Sequence, residues 1–320
     1  MIRNPYVAQS SSHDRLIPGQ LIRTENTLNT NNTPAPQPPI QDTRLRNAQH
    51  AWSQLFSRPS STERGAERRL VVLSSENQNQ NKPWGDQLSP KPDGITRIFS
   101  MNVNGLSLDR RGGRFDELCR TTKEVQADIM HSQEHNLDTT QSSVRSILYD
   151  TTRQHWQRSR LKFATSPIPF VSTYKPGGTM TMIVNNLTGR VESHEADHLG
   201  RWVSYTLRGR GSQFLTIINV YQVVTDKPGK GLTTAASQQQ SLLIQLQDPI
   251  IAPPQAFKRD LWTFVDSRIK RGEEIMILGD FNEEFGAEPD GICKLAADFN
   301  LVNLMSARHS GALPSTYARG

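Results

Sequence analysis

The sequence predicts an α/β domain with mixed β-sheet, preceded by a polar tail. From Ile95 onward, short runs of β-branched and aromatic residues alternate with stretches that carry apolar residues at helical spacing. Two strand-like runs, 201–207 and 213–221, are joined by a connection containing RGRG, which is typical of an antiparallel hairpin. Other runs are separated by predicted helices, which allow parallel crossovers. This combination favours a mixed sheet over a doubly wound parallel one.

The predicted elements follow one another in order along the chain. Predicted strands cover 95–103, 128–134, 161–165, 179–184, 201–207, 213–221, 275–278 and 301–305. Predicted helices cover 114–125, 139–156, 237–247, 256–272 and 290–300. The helix at 256–272 has the clearest apolar stripe and ends at a glycine, directly before the strand at 275–278.

Composition limits the class of protein. The chain has 320 residues, 35% of them hydrophobic, and a formal net charge of +6, which fits a polyanionic partner without identifying one. There is no apolar run near the roughly 20 residues that a membrane span needs, so the sequence predicts no membrane association. Cys119 and Cys293 lack metal-ligand spacing and are predicted to be small buried thiols in a reducing compartment.

Residues 1–93 are predicted to form a disordered tail. They are rich in Ser, Asn, Gln, Pro and Arg, and include PAPQPPI at 34–40 and NQNQNKP at 77–83. Such a segment buries too little apolar surface to offset its chain entropy. The folded domain is therefore predicted to span residues 94–320.

Polar side chains follow three of the predicted strands. Asn102 and Asn104 follow the first, Glu134 ends the second, and Asp280 and Asn282 follow the strand at 275–278. A carboxylate suited to a hard cation, one suited to water activation and several amides are what a one-metal phosphodiester site requires. The strand ends therefore indicate phosphate-ester chemistry.

The stretch GDFN at 279–282 carries the strongest of these signals. Because side chains alternate across a strand, Asp280 and Asn282 are expected on one side of the sheet and Phe281 in the packing. Gly279 would let another backbone or a ligand approach closely. Taken alone, an exposed turn after a core strand explains this stretch equally well.

The order of the motifs carries a resemblance to a known family. The succession SMNVNGL, SQEHN, KPGGT, GRWVS, INVY and ILGDFNEE, within residues 95–320, resembles the endonuclease/exonuclease/phosphatase superfamily. Within it, the chain is most similar to the endonuclease domain of non-LTR retrotransposons. The resemblance implies a four-layer α/β sandwich, with two mixed sheets face to face and helices outside, and Mg²⁺-dependent cleavage of phosphodiesters in DNA.

The resemblance also implies roles for the strand-end residues. Glu134 resembles the metal-binding glutamate, and Asn102 the asparagine that hydrogen-bonds the aspartate of the GDFN strand. Asn104 stands where related repair enzymes carry an aspartate near the metal. Its amide still offers an oxygen ligand but no charge, so we expect weaker or differently arranged metal binding.

Three further residues would act on the phosphate or on the attacking water. Tyr221 resembles the tyrosine that contacts the scissile phosphate, Asp280 the residue that activates water, and Asn282 the amide that steadies the phosphate. The structural alternatives are an edge aromatic with its hydroxyl in solvent for Tyr221 and a turn amide for Asn102.

The chain departs from the family pattern near its C-terminus. The family places an Asp-Tyr strand and a Ser-Asp-His motif after a turn like STYARG, and neither is present here; His309 precedes that turn and is not accepted as a substitute. We therefore expect a domain that lacks its last strands, has an exposed sheet edge and is catalytically impaired.

Two motif matches are rejected. Residues 194–198 read HEADH, a literal H-E-x-x-H, but the segment is polar and not expected to be helical, as a zinc site of this type requires. The stretch PGKGLTT at 228–234 echoes a P-loop but lacks its first glycine and its Ser or Thr after the lysine. We interpret it as a basic loop in which Lys227 and Lys230 contact a DNA backbone.

The sequence thus predicts a Mg²⁺-dependent endonuclease-like domain that nicks DNA, with a reverse transcriptase domain as a partner in the intact parent protein and a nuclear site of action if genomic DNA is cut. Two alternatives stay open: a phosphatase of the same fold acting on a small or lipid phosphate, and a non-catalytic remnant that binds nucleic acid through Arg and Lys.

Overall fold

The computed structural model describes residues 88–109, 113–169, 174–225, 231–246, 248 and 251–308. The predicted basic loop residues Lys227 and Lys230, His309, and residues 1–87 of the predicted tail lie outside these ranges.

Strands in the described ranges form two sheets. Their bounds are β1 (Ile98–Asn102), β2 (Ile129–Gln133), β3 (Ser159–Ala164), β4 (Thr179–Val184), β5 (Val191–Ala196), β6 (Trp202–Arg208), β7 (Phe214–Tyr221) and β8 (Glu274–Asp280). Sheet A has the order β1-β2-β4-β3, and sheet B the order β5-β6-β7-β8. In each sheet one edge pair is parallel, β1 with β2 and β7 with β8, and the other pairs are antiparallel. The predicted mixed sheets are therefore confirmed.

Helices cover the outer faces of both sheets. Their bounds are α1 (Arg114–Glu124), α2 (Ser142–His155), α3 (Ala235–Gln245), α4 (Pro253–Ile269), α5 (Ile292–Asp298) and α6 (Leu304–Arg308), with a 3₁₀ helix at Asn185–Arg190. Helices α1 and α2 pack on sheet A, and α4 and α5 pack on sheet B. With the two sheets face to face between them, the predicted four-layer α/β sandwich is confirmed. Within the described ranges, no helix is long and apolar enough to cross a membrane.

The interface between the sheets changes from apolar to polar along each strand that reaches the candidate site. On β7, Leu215 and Ile217 face an apolar cluster, whereas the next two inward positions are Asn219 and Tyr221. The other strands follow the same course: Ile98 to Asn102 on β1, Ile129 to Gln133 on β2, and Met276 to Asp280 on β8. We call these the apolar end and the polar end of the interface.

Strands β1 and β8 lie opposite each other at one side of the sandwich. Among the described residues each has one hydrogen-bonded neighbour, and β8 is at least partly exposed along its whole length. Among the described residues, β1 and β8 are therefore the edge strands nearest the candidate site.

Two predictions of secondary structure are wrong. Residues 301–305 do not form a strand, because α6 begins at Leu304; Asn303 Oδ1 accepts hydrogen bonds from the N–H groups of Met305 and Ser306, at 3.1 and 3.2 Å, and so starts the helix. The polar segment that contains HEADH was predicted to be a connection, but it forms the edge strand β5. Its non-helical conformation, which was expected, is confirmed, and the His194 ring packs edge-on against Tyr205.

Both cysteines lie on helices and are free thiols. Cys119 of α1 is fully buried, as predicted, and burial raises the pKa of its thiol to about 12. Cys293 of α5 is only half-buried, so the prediction of burial is wrong for that residue.

Candidate active site

One amide joins the two carboxylates at the polar end. Asn102 Nδ2 donates to Glu134 Oε1 at 2.8 Å and to Asp280 Oδ2 at 2.7 Å. An amide nitrogen carries two N–H donors, so both are engaged. Since Glu134 follows β2 and Asp280 ends β8, Asn102 links one carboxylate from each sheet.

The same turn ends β1 and β8. Asn102 Oδ1 accepts the backbone N–H of Asn104 at 2.9 Å, and Asp280 Oδ1 accepts the backbone N–H of Asn282 at 3.0 Å. Both are Asx turns, in which a side-chain oxygen takes the place of a backbone carbonyl. Each turn fixes one oxygen of the side chain, so that the Asn102 amino group and the second Asp280 oxygen point at each other across the two sheets.

Residues just beyond the strand ends adopt left-handed backbone. Values of φ are 43° at Asn104, 51° at Glu134 and 47° at Asn282. For residues other than glycine this conformation costs on the order of 1 kcal/mol or more, and such residues concentrate at functional sites. Because β8 ends at Asp280, the position of Asn282 is set by this turn and not by strand alternation.

Asn282 and its neighbours are fixed by the end of β7 and by Gln222, which follows it. Asn282 Nδ2 donates to the Gln222 carbonyl at 2.7 Å, and Gln222 N–H donates to the Asp280 carbonyl at 2.9 Å. A β-carbon at Gly279 would lie 2.0 Å from the Val220 carbonyl oxygen, so the close backbone approach expected at this glycine is confirmed. Phe281 packs in the outer apolar cluster, also as expected.

Glu134 lies in a loop that is hydrogen-bonded to a neighbouring segment on each side. Its carbonyl accepts the Gly105 N–H at 2.7 Å. Two residues later, Asn136 pairs with the glycine loop before β4: Asn136 Oδ1 accepts the Gly177 N–H at 2.7 Å, and the Asn136 N–H donates to the Gly177 carbonyl at 3.0 Å. These bonds fix the backbone from which the Glu134 carboxylate extends.

Tyr221 is held in the interior of sheet B. It is 8% exposed, lies opposite Asp280 in the β7–β8 register, and donates its backbone N–H to the Arg201 carbonyl at 2.7 Å. Its ring packs against Gly177, where a β-carbon would come within 3.4 Å of Tyr221 Cε1. The alternative of an edge aromatic is therefore wrong, because β7 lies between β6 and β8.

A buried ion pair, which sequence reasoning missed, supports the glycine loop. Lys175 Nζ lies 3.0 Å from Asp138 Oδ1 and donates to the Ser166 carbonyl at 2.7 Å, with both charged side chains almost fully buried. Burial acts to raise the pKa of Asp138, but hydrogen bonds from Thr140, Lys175 and Gln141 outweigh it and lower that pKa. Removing either charge alone would leave the other unpaired in the interior.

The predicted metal ligands at the polar end would bind through oxygen atoms. Within the described ranges, no group of three or more His, Cys, Asp or Glu side chains is placed to hold a metal ion. A carboxylate such as Glu134, supplemented by amide oxygens and water, is the donor set that suits Mg²⁺, which retains much of its hydration. The residues present therefore fit a hard divalent cation, with Asn104 in the turn beside Glu134 as the second predicted ligand.

Comparisons with known proteins give structural likenesses only. No protein-family model matches the chain, and no curated protein sequence matches it. The chain is similar to solved structures of the AP endonuclease LMAP from Leishmania major (16% identity, 60% of this chain and 56% of that one, TM-score 0.40), the 3′ phosphatase NExo from Neisseria bound to product DNA hairpin (16%, 60% and 60%, 0.37) and an AP endonuclease from Archaeoglobus fulgidus (15%, 61% and 60%, 0.34).

An endonuclease/exonuclease/phosphatase family protein from Leptotrichia buccalis is also similar, at 17% identity over 47% of this chain and 63% of that one, with a TM-score of 0.28. This chain thus spans between 56% and 63% of the length of these four solved structures. At such identities and TM-scores, the likenesses do not indicate a function for this chain.

Proposed function

We propose that this chain is a Mg²⁺-dependent phosphodiesterase domain of the endonuclease/exonuclease/phosphatase type, with DNA as its substrate. The observation that carries the proposal is the Asn102 amide, which donates to Glu134 and Asp280 from opposite sheets. Two carboxylates held by one amide, beside a tyrosine and a second amide, suit water attack on phosphorus. The net charge of +6 favours a polyanion over a small neutral substrate.

Each residue has a distinct part in the proposed reaction. Glu134, with Asn104, would hold Mg²⁺, which when bound supplies positive charge to the phosphoryl oxygens. Asp280 would accept a proton from the attacking water, since Asn102 and the Asn282 N–H fix the orientation of its two oxygens.

Two groups would contact the phosphate itself. One N–H of the Asn282 amide donates to Gln222, which leaves the second N–H to donate to a phosphoryl oxygen. Tyr221, from the adjacent strand, would contact the same phosphate.

Within this class we assign the domain to a retrotransposon-type endonuclease, whose intact parent would also carry a reverse transcriptase. The order of the sequence motifs, with Tyr221 and Asp280 on adjacent strands, supports this assignment. Sequencing the transcript around this reading frame tests it, because the assignment requires a polymerase domain in the same frame.

The activity is tested by incubating the purified chain with supercoiled plasmid and Mg²⁺. We expect weak nicking, in keeping with the impairment predicted from the missing Ser-Asp-His motif, that EDTA abolishes and that Glu134→Gln eliminates. Glu117→Gln, which changes an exposed glutamate on α1, should leave it unchanged. Nicking that survives Glu134→Gln would contradict the proposed site. Salt-sensitive DNA binding without cleavage would indicate a non-catalytic remnant, and hydrolysis of small or lipid phosphates without nicking would indicate a phosphatase.

A further inference from the structure

A buried asparagine crosses the interface between the sheets directly beneath the candidate site. Asn219, on β7, is fully buried, and its Nδ2 donates to the carbonyls of Ser132 and Met180 at 3.1 and 2.8 Å. Its Oδ1 accepts from Gln133 Nε2 at 2.5 Å. Both N–H donors and the carbonyl of this side chain are thus engaged by sheet A.

An apolar residue would be the ordinary choice at this position. The preceding inward positions on the same strand are Leu215 and Ile217, which pack in the apolar cluster. A buried amide gives up hydration, and its intramolecular hydrogen bonds return only about 0.5–1.5 kcal/mol each. Hydrogen bonds are directional, however, whereas apolar contact is not. What Asn219 adds to the interface is a fixed separation and register of the two sheets.

The asparagine lies where that register decides the geometry of the site. Gln133 precedes Glu134 in sequence and lies opposite Asn102 in the β1–β2 register. On sheet B, Asn219 lies two residues before Tyr221 and opposite Leu278, which is two residues before Asp280. The cross-link therefore connects β2, which leads to Glu134, with β7, which pairs with the strand that ends at Asp280.

The hydrogen bonds from Asn102 to the two carboxylates depend on the cross-link made by Asn219. These two bonds, of 2.8 and 2.7 Å, run to carboxylates on different sheets. A relative shift of the sheets by about 1 Å would lengthen one of them beyond the range of a hydrogen bond. Gln133 Nε2 also donates to Ser100 Oγ at 3.2 Å, so the network includes β1, the strand that carries Asn102.

We infer that Asn219 is a positioning residue of the site, which holds the two sheets so that Glu134 and Asp280 meet at Asn102. The catalytic part of this inference rests on the proposed function, but the structural part does not. The structural part can be measured as the energetic coupling between Asn102 and Asp280 across the sheets.

The first test is a double-mutant cycle on stability, which requires no activity. In the parent chain, the effects of Asn102→Ala and Asp280→Ala on urea unfolding should not be additive. The unfolding equilibrium constant of the double variant should deviate about 5-fold or more from the value that the two single effects predict together. In an Asn219→Leu background the deviation should fall to within about 2-fold. In an Ile217→Val background, which alters the same strand without touching the network, it should persist. A deviation that persists in Asn219→Leu would overturn the inference.

A second variant guards against loss of folding. Gln133→Met removes one bond of the network from the opposite sheet and should reduce the same coupling in part. Full coupling in that variant would also count against the inference.

The second test separates kcat from KM in plasmid cleavage. We expect Asn219→Leu to lower kcat by about 10-fold or more with KM changed less than about 3-fold, because a misplaced catalytic group affects the transition state more than binding. Ile217→Val should leave both constants unchanged. Equal kcat in parent and Asn219→Leu chains would contradict the positioning role. If the parent chain does not cleave DNA at all, the proposed function fails while the stability cycle still decides the inference.

Discussion

Strand β7 runs through both ends of the interface between the sheets, and the two ends differ. Its first inward residues, Leu215 and Ile217, pack in an apolar cluster, and its last two, Asn219 and Tyr221, lie among hydrogen-bonding groups. At the apolar end the sheets are held together by non-directional burial, which tolerates small shifts. At the polar end they are held by bonds of defined length and direction.

The backbone shows the same contrast. Of the seven non-glycine residues with positive φ in the described ranges, four flank the candidate site: Asn104, Glu134, Asn136 and Asn282. Conformations of this kind persist only where surrounding hydrogen bonds determine them. Stability and geometry are thus supplied by separate halves of one interface, so mutations in the two halves should have separable effects.

The largest expected effect is on catalysis, at Asp280. Asp280→Asn keeps one oxygen, which can accept from either Asn102 or the Asn282 N–H but not from both. It also loses the charge needed to accept a proton from water. We expect kcat for plasmid nicking to fall by roughly 10² to 10⁴-fold, with the free energy of unfolding lowered by about 0.5–1.5 kcal/mol for the one hydrogen bond lost. Single-turnover cleavage and urea unfolding measure the two quantities, and Asp150→Asn, on the exposed face of α2, is the matched control. A decrease in kcat of less than 10-fold would place the base elsewhere.

The apolar end should give the opposite result. Leu215→Ala removes a fully buried side chain from the intersheet cluster and should lower the free energy of unfolding by about 2–5 kcal/mol. At a temperature where the variant remains folded, kcat should match that of the parent chain. Loss of kcat in proportion to stability would show that the two ends are not separable.

A dependence of stability on pH is expected in the region between the two ends. Burial lowers the pKa of His131 to about 3, and that of His135 to about 4. Each folded-state pKa lies below the value of about 6.5 for an unfolded histidine. The contribution of these neutral histidines to the free energy of unfolding is therefore fully present above pH 6.5. It is lost as the pH falls, by about 1.4 kcal/mol per pH unit for each histidine until its folded pKa is reached.

His131→Asn should therefore remove the contribution of one of these protons. Urea unfolding between pH 6.5 and 4.5 should show the slope of stability against pH reduced by about 1.4 kcal/mol per unit relative to the parent chain. An unchanged slope would mean that His131 is not buried in its neutral form, and hence that the region between the two ends is wetter than the structure indicates.

The sequence predicted the interior of the fold better than its margins. Strands that are buried on both faces, such as β4, consist of uninterrupted β-forming residues and were recognised from composition. Strand β5 was missed because five of its six residues are exposed and its pairing with β6 is made by backbone groups, which leave no signal in the side chains. The wrong strand at 301–305 was an apolar run too short to distinguish strand from helix.

For the site, sequence reasoning identified residues at strand ends but not the network beneath them. Asn219 interrupts an apolar strand, and nothing local indicates that its partners, Ser132 and Gln133, lie on another sheet. Likewise, Arg201 pairs with Asp197 nearby but also with Asp260 on α4, a contact that only the tertiary fold creates. Partners that are distant in sequence have no fixed spacing, so pattern reasoning does not find them.

The position of β1 and β8 at the edge of their sheets has a consequence for local opening. Each is anchored by a single neighbouring strand in the described part of the chain, and each carries one side of the Asn102–Asp280 bond. Edge segments open locally, with a free energy below that of global unfolding. The fraction of molecules with an assembled site is therefore set by fraying of these two strands, and their amide protons should exchange with solvent sooner than those of β4 and β6, long before the sandwich itself comes apart.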